Sequence, residues 1–155
     1  MLNILILCTG NSARSILGEV LVTALGKGRL QGFSAGSQPK GQPHPMALET
    51  LKAHGHSIDG LRSKSWDEFA ADGAPRIDAV ITVCDSAAAE VCPVWPGAPV
   101  KAHWGLPDPA YIANEAECRA AFEATYQALS ERIRALVKAL EGDDQAALKK
   151  ALVPV

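Results

Sequence analysis

The stretch Asn3-Ile4-Leu5-Ile6-Leu7-Cys8-Thr9-Gly10-Asn11-Ser12-Ala13-Arg14-Ser15 decides the fold. Asn3 to Leu7 is a short apolar run without polar alternation, the pattern of a strand buried on both faces in a parallel sheet. A polar turn containing Gly10 follows. From Ser15 onward, Ile16, Leu17, Val20, Leu21, Ala24 and Leu25 recur at helical spacing, and Gly26 and Gly28 supply stop signals. Strand, tight loop and helix together open a βαβ unit.

The rest of the chain continues that alternation. Gln31 to Ala35 reads as a second strand, and Pro39, Gly41 and Pro43 mark a turn before a helix begun by Pro45 and stopped by Gly55. Asp78 to Cys84 is the second strongly apolar β run. Val100 to Trp104 offers a shorter fourth strand after the turn-rich Pro93 to Pro99. The last helix carries one apolar stripe, Cys118, Phe122, Thr125, Tyr126, Leu129, Ile133, Leu136, Val137 and Leu140, with Asn114 and Glu117 as a capping box and Gly142 as its end. These elements predict an α/β fold: a three-layer open sheet of four parallel strands with helices on both faces. Ligands then belong beyond the carboxyl ends of the strands.

Length and composition narrow the class. With 155 residues the chain is read as a single domain over 1–142, followed by a tail over 143–155 that shows no convincing stripe. Hydrophobic residues at 48% and charged residues at 21% fit a water-soluble globular protein and exclude disorder. A formal charge of -2 gives no global positive field for nucleic acid or an anionic membrane, so any bound anion must be gripped locally. The apolar opening has no basic residue ahead of it, and no stretch is long enough to cross a bilayer; a cytoplasmic location is expected. Four scattered cysteines, Cys8, Cys84, Cys92 and Cys118, do not suit a secreted disulfide scaffold, and no Cys or His spacing fits a common zinc pattern.

Cys8 and Arg14 flank a loop at the predicted ligand edge of the sheet. A loop folded over a helix start turns successive N–H groups inward and makes an anion nest reinforced by the helix dipole. Thr9, Gly10, Asn11, Ser12, Ala13, Arg14 and Ser15 are the expected oxyanion binders, with Arg14 as a permanent bidentate fork. The same field favours thiolate, because helix-start cysteines reach pKa values of about 3.5–7.5 against about 8.5 for a free thiol. Cys8 is then a nucleophile at neutral pH. The alternative reading makes Cys8 a small apolar residue closing a buried strand and Arg14 a solvated helix residue.

This loop, continued by Ile16-Leu17-Gly18-Glu19, resembles that of the low-molecular-weight protein tyrosine phosphatase fold. That fold hosts phosphatases, which take a phosphoryl group on the thiolate, and arsenate reductases, which capture arsenate on it and reduce it with further thiols. The run Cys84-Asp85-Ser86-Ala87-Ala88-Ala89-Glu90-Val91-Cys92-Pro93, together with Pro96, His103-Trp104-Gly105 and Asp108-Pro109-Ala110, resembles the thioredoxin-coupled arsenate reductase family. The resemblance extends over nearly the whole chain up to the last helix.

It implies a three-thiol relay. Cys84 attacks Cys8 to release arsenite, and Cys92 then takes over Cys84 and frees Cys8. Were Asp85 to Val91 a continuous helix, the two later cysteines would lie about 12 Å apart at about 1.5 Å per residue. A disulfide tolerates at most about 7 Å between Cα atoms, so the segment is expected to unwind or loop out on oxidation. The plain alternatives are a core residue for Cys84 and an inert loop thiol for Cys92; Cys118, on the stripe of the last helix, is read as core.

Asp108 is the expected general acid, in keeping with the resemblance, with a turn residue between Pro107 and Pro109 as its alternative. Ala110 stands where the phosphatases carry a tyrosine after Asp-Pro, so that aromatic wall is missing. Asn11 and Ser15 are expected to organise the loop and Glu19 to support it from the helix. In some members of the resembling family a potassium ion lies near the loop. The corresponding segment here, Arg62-Ser63-Lys64-Ser65, carries basic side chains that supply charge directly, so no metal and no cofactor are expected. Ala13 departs from relatives that have another Cys before the Arg. His54 and His56 are read as a solvated turn, and Trp104 as packing on the sheet edge. The implied partners are arsenate, with phosphate or sulfate as mimics, and thioredoxin or a glutaredoxin/glutathione system as reductant, without nucleic acid or membrane. Two other classes stay open: a phosphomonoester phosphatase using Cys8, Arg14 and Asp108 alone, and a sensor that binds an oxyanion or arsenical without turnover.

Overall fold

A computed structural model describes residues 1–83, 99–142 and 144–152, leaving aside the side chain of Tyr111. Four strands form one parallel sheet: β1 (Leu2–Leu7), β2 (Leu30–Ala35), β3 (Ala79–Thr82) and β4 (Val100–His103), in the order β2-β1-β3-β4. Register pairs Leu7 with Ala35 and Thr82, and Thr82 with His103, so all four strands end along one edge. The open parallel sheet expected from the apolar runs is the one that forms. Asp78 immediately precedes β3, where its side chain accepts the Asn3 N–H and its carbonyl accepts the Val100 N–H at the opposite edge.

β1 is buried on both faces, as its lack of alternation requires. Ile4 and Ile6 face a core with α1 (Arg14–Gly26), α2 (Pro45–Ala53) and α3 (Glu115–Ala139). Leu5 and Leu7 face a smaller cluster with Ala35, Phe69, Ile77 and Val80, covered among the described residues by a 3₁₀ turn over Trp66–Phe69. Of α3's predicted stripe, Cys118, Phe122, Thr125, Tyr126, Leu129, Ile133 and Leu136 are buried. The Asn114 side chain accepts the Glu117 N–H at 3.0 Å.

The tail departs from expectation. Gln145–Ala151 forms a further helix, α4, whose Leu148 is wholly buried and whose following Leu152 is nearly so. Asp144 caps its start by accepting the Ala147 N–H. These residues pack onto the main core. No helix among the described residues is long and apolar enough to cross a membrane.

Candidate active site

The edge where the strands end is occupied by the loop from Cys8 to Ala13. Asn11 adopts φ 45, a left-handed conformation that Asn tolerates better than most side chains. Its side chain fixes the turn from both directions: Nδ2 donates to Ser15 Oγ at 2.8 Å, and Oδ1 accepts the Lys64 N–H at 2.9 Å. The loop carbonyls are taken from outside. Gln38 N–H donates to Thr9, Lys40 N–H and Ser63 Oγ to Gly10, and His44 N–H to Ser12, at 2.8 to 3.1 Å. Because the peptide unit is planar and trans, the N–H groups of Gly10, Asn11 and Ala13 lie on the sides opposite those carbonyls. The helix that follows has Ala13 as its N-cap and no capping side chain, so its first-turn donors are left for an anion.

Close packing under the loop demands glycine at one place. A Cβ at Gly36 would overlap the Thr9 carbonyl and reach within 2.7 Å of the Cys8 carbonyl oxygen. β2 thus delivers its last residues directly beneath the loop.

Arg14 is drawn inward and is 8% exposed. Its Nη2 donates to Cys8 Sγ at 3.3 Å and lies 3.3 Å from Asp108 Oδ2, while Nη1 donates to the Leu106 carbonyl at 2.7 Å. Its Nε is buried and has no hydrogen-bond partner among the described residues. A buried guanidinium nitrogen without an acceptor costs free energy, and a bound oxyanion would supply that acceptor. Asp108 opens a 3₁₀ turn over Pro109–Tyr111, with its Oδ1 accepting the Ala110 N–H at 2.9 Å. Behind it, Cys118 Sγ points at the Pro109 carbonyl, 3.6 Å away, from within the core.

Cys8, Thr9, Gly10, Ser12, Ala13, Arg14 and Asp108 line one cavity of about 170 Å³, which Gln38 and Lys40 complete. Asn11 and Ser15 are buried beneath it. Cys84 and Cys92, and the segment expected to unwind between them, lie outside the described residues. Gln38 and Lys40 were not anticipated by sequence reasoning. The signal available was topological: β2 pairs with β1 in parallel, so the residues after Ala35 must emerge beside those after Leu7.

The basic segment behind the loop divides in two. Arg62 turns outward to a paired, exposed Glu68, which lowers the Glu68 pKa chiefly through that hydrogen bond. Lys64 turns inward, its side chain 8% exposed. Its Nζ donates to the Arg62 carbonyl at 2.8 Å and lies 3.4 Å from Ser34 Oγ and 3.5 Å from Glu19 Oε1, while Ser34 also donates to Glu19. Burial pushes the Lys64 ammonium below its ordinary pKa, opposed by the Glu19 charge. These residues do not fit a bound potassium ion, because an ammonium already stands among the oxygens that would coordinate it. Among the described residues, Glu19 is linked to the loop through Lys64, whose N–H is held by Asn11. Elsewhere, His54 stacks on Tyr126 and bonds Glu123 at 2.7 Å, and His56 bonds the Tyr126 hydroxyl at 2.7 Å, so the two histidines join α2 to α3 instead of facing solvent freely. Trp104 is partly buried against the main core, with the Arg132 guanidinium 5.9 Å above its ring.

Comparison with known proteins places this geometry. The family model for low molecular weight phosphotyrosine protein phosphatase matches residues 3–146. An arsenate reductase of Halalkalibacterium halodurans is 32% identical over 129 residues, covering 83% of this chain and 89% of the relative. A solved arsenate reductase in the phosphate binding state superposes with a TM-score of 0.68 at 26% identity, covering 89% of this chain and 98% of that one. The tyrosine phosphatase of Escherichia coli K30, in complex with sulphate, shares the fold at a TM-score of 0.68 and 23% identity, covering 88% and 96%. The chain belongs to the low molecular weight phosphotyrosine protein phosphatase family, within its arsenate reductase group.

Proposed function

We propose that this protein reduces arsenate to arsenite through a relay of Cys8, Cys84 and Cys92. The observation that carries the reading is the Cys8–Arg14 pair in an oxyanion-sized cavity, with a buried Arg14 Nε lacking an acceptor.

Arsenate binds with its oxygens on the loop N–H groups and the Arg14 guanidinium. In doing so it competes with Asp108 for Arg14. Asp108, protonated, then gives its proton to the leaving oxygen as the Cys8 thiolate forms a sulfur–arsenic bond and water departs. Arsenic is still As(V) at this stage. The Cys84 thiolate next attacks Cys8 Sγ: a disulfide forms, the sulfur–arsenic bond breaks, and its electron pair stays on arsenic, giving As(III) as arsenite. Cys92 then attacks Cys84, forming Cys84–Cys92 and releasing Cys8 as thiolate. An external dithiol, thioredoxin or a glutaredoxin with glutathione, takes the final disulfide. One feature of the described residues supports the encounter of the first two thiols: Val83, which precedes Cys84, donates its N–H to the carbonyl of Leu7, which precedes Cys8, at 2.9 Å.

Phosphomonoester hydrolysis is the second reading, because Cys8, Arg14 and Asp108 suffice for it and the family model is that of phosphatases. Cys84→Ser separates the two. It abolishes arsenite formation if the relay operates, and it leaves any 4-nitrophenyl phosphate hydrolysis in place. Arsenite production by Cys84→Ser at the wild-type rate would defeat the relay.

A further inference from the structure

We infer that Lys64 is a positioning residue for the anion loop: its buried ammonium pins the segment that holds Asn11, and so sets the affinity of the pocket for an oxyanion that Lys64 does not touch. The inference rests on the oxyanion-pocket reading and not on arsenate reduction.

The loop depends on one strained residue. Asn11, at its centre, stands at φ 45, and a left-handed residue other than glycine persists where its surroundings over-determine it. Part of that hold comes from Ser63 and Lys64. Lys64 donates its N–H to Asn11 Oδ1 at 2.9 Å, and Ser63 Oγ donates to the Gly10 carbonyl at 3.1 Å. The bracing segment is itself lightly held by its backbone. From Leu61 to Lys64 it belongs to no strand or helix, and its link to the end of β2 is an isolated bridge between Gly36 and Ser65, in which Gly36 donates to the Lys64 carbonyl at 2.9 Å.

The Lys64 side chain supplies a second anchor. Its ammonium carries three N–H donors and meets three oxygens from three segments: the Arg62 carbonyl at 2.8 Å, Ser34 Oγ of β2 at 3.4 Å and Glu19 Oε1 of α1 at 3.5 Å. A buried ion pair adds little net stability over an apolar replacement of the same volume, because desolvation opposes the attraction; its best-attested use is to fix one arrangement. Here the arrangement is that of residues 62–64 against α1 and β2. Without the ammonium the segment loses its side-chain tie to both elements. The partners of Asn11 and Gly10 are then no longer fixed, and the loop N–H groups are not aligned before the anion arrives. Lys64 is not among the described residues that line the cavity, so its effect is transmitted through Asn11.

Protection of Cys8 by sulfate measures the affinity. The full-length reduced protein is treated with iodoacetamide at rising sulfate, at constant ionic strength and below the melting temperature of each variant, and Cys8 alkylation is followed by peptide mass spectrometry. Lys64→Ala and Lys64→Met are each expected to raise the half-protecting sulfate concentration about five- to tenfold. In Lys64→Ala, n-propylammonium, which replaces the atoms removed, restores protection, while tetramethylammonium does not and the wild type responds to neither. In an Asn11→Gly background, where glycine accepts the left-handed turn but offers Lys64 no side chain, Lys64→Met changes protection less than about twofold, as for two residues acting through one route. Wild-type protection in Lys64→Met overturns the inference and leaves the pocket reading standing. A loss in Lys64→Ala that n-propylammonium leaves untouched overturns the role of the ammonium, and full additivity with Asn11→Gly overturns the route through Asn11. Failure of sulfate to protect the wild-type Cys8 overturns the pocket reading itself.

Discussion

Two loops meet at the active edge, and they are held in opposite ways. The loop from Cys8 to Ala13 is braced from outside by Gln38, Lys40, His44, Ser63 and Lys64, and Asn11, Ser12 and Ala13 in it are buried. The loop from Trp104 to Asp108 exposes Gly105 and Pro107 and is tied to the end of β3 through Trp104 and Leu106. Besides core packing by Trp104 and Leu106, Arg14 holds it through the Leu106 carbonyl and Asp108, and Arg14 is the side chain that the proposed mechanism assigns to the bound oxyanion. One loop is built before the ligand arrives. The other is attached to Arg14, so on the proposed mechanism anion binding releases Asp108 for proton transfer.

Breaking the braced loop has the largest expected effect. Arg14→Lys removes the planar fork that touches Cys8, Asp108 and Leu106 at once, and it should lower arsenate turnover by about 10³-fold. A loss of less than about tenfold would show that the fork is not the anion clamp. Gly36→Ala pushes a Cβ into the backbone of Thr9 and Cys8, and a thermal melt should show about 2–3 kcal/mol of destabilisation together with loss of anion binding.

The looser loop should separate binding from chemistry. Asp108→Asn keeps an acceptor for the Ala110 N–H but removes both the proton and the competing charge on Arg14. Turnover should fall about 10²-fold while phosphate binding stays equal or tightens, read by kinetics and by calorimetry. Weaker phosphate binding in this variant would contradict the release of Asp108 by the ligand.

Lys64 sharpens the comparison from behind the braced loop. Lys64→Met strands Glu19 and Ser34 and should cost about 1–2 kcal/mol, while the wild-type protein should turn over equally in potassium and in tetramethylammonium salts. A strong potassium requirement in the wild type would contradict the assignment of that space to the ammonium. The smallest effect belongs to the α2–α3 seam. Burial, and secondarily the His54 charge, hold His56 below its usual pKa of 6.5. The unfolded chain therefore binds more protons between the folded pKa and 6.5, so stability rises with pH across that window and falls on acidification. His56→Gln should flatten that slope in melts below pH 6.5 without altering Cys8 alkylation.

The strands and the anion loop were legible in the sequence because their signals are local. β1 reads as a solid apolar run, and Cys8 to Arg14 occupies the turn between it and a periodic helix. What escaped depends on contacts distant in sequence. Gln38 and Lys40 reach the cavity only because β2 lies beside β1. α4 buries Leu148 and Leu152, two positions one turn apart, too few for a periodicity to stand out in a short segment. Trp66 and Phe69 cover the second sheet face from a 3₁₀ turn that no repeat announces. The inward turn of Lys64 and the outward turn of Arg62 are set by Glu19 and Glu68, which adjacent sequence does not distinguish.

The most direct test of the relay mixes fully reduced protein with an equimolar amount of arsenate, without external reductant, then assays arsenite and maps disulfides by mass spectrometry. Stoichiometric arsenite with a Cys84–Cys92 bond and a free Cys8 is the result expected. Unreacted arsenate with every cysteine still reduced would contradict it, and repeating the mixture with glutathione and glutaredoxin would show whether a reductase that draws its thiol from outside stands in its place or none does.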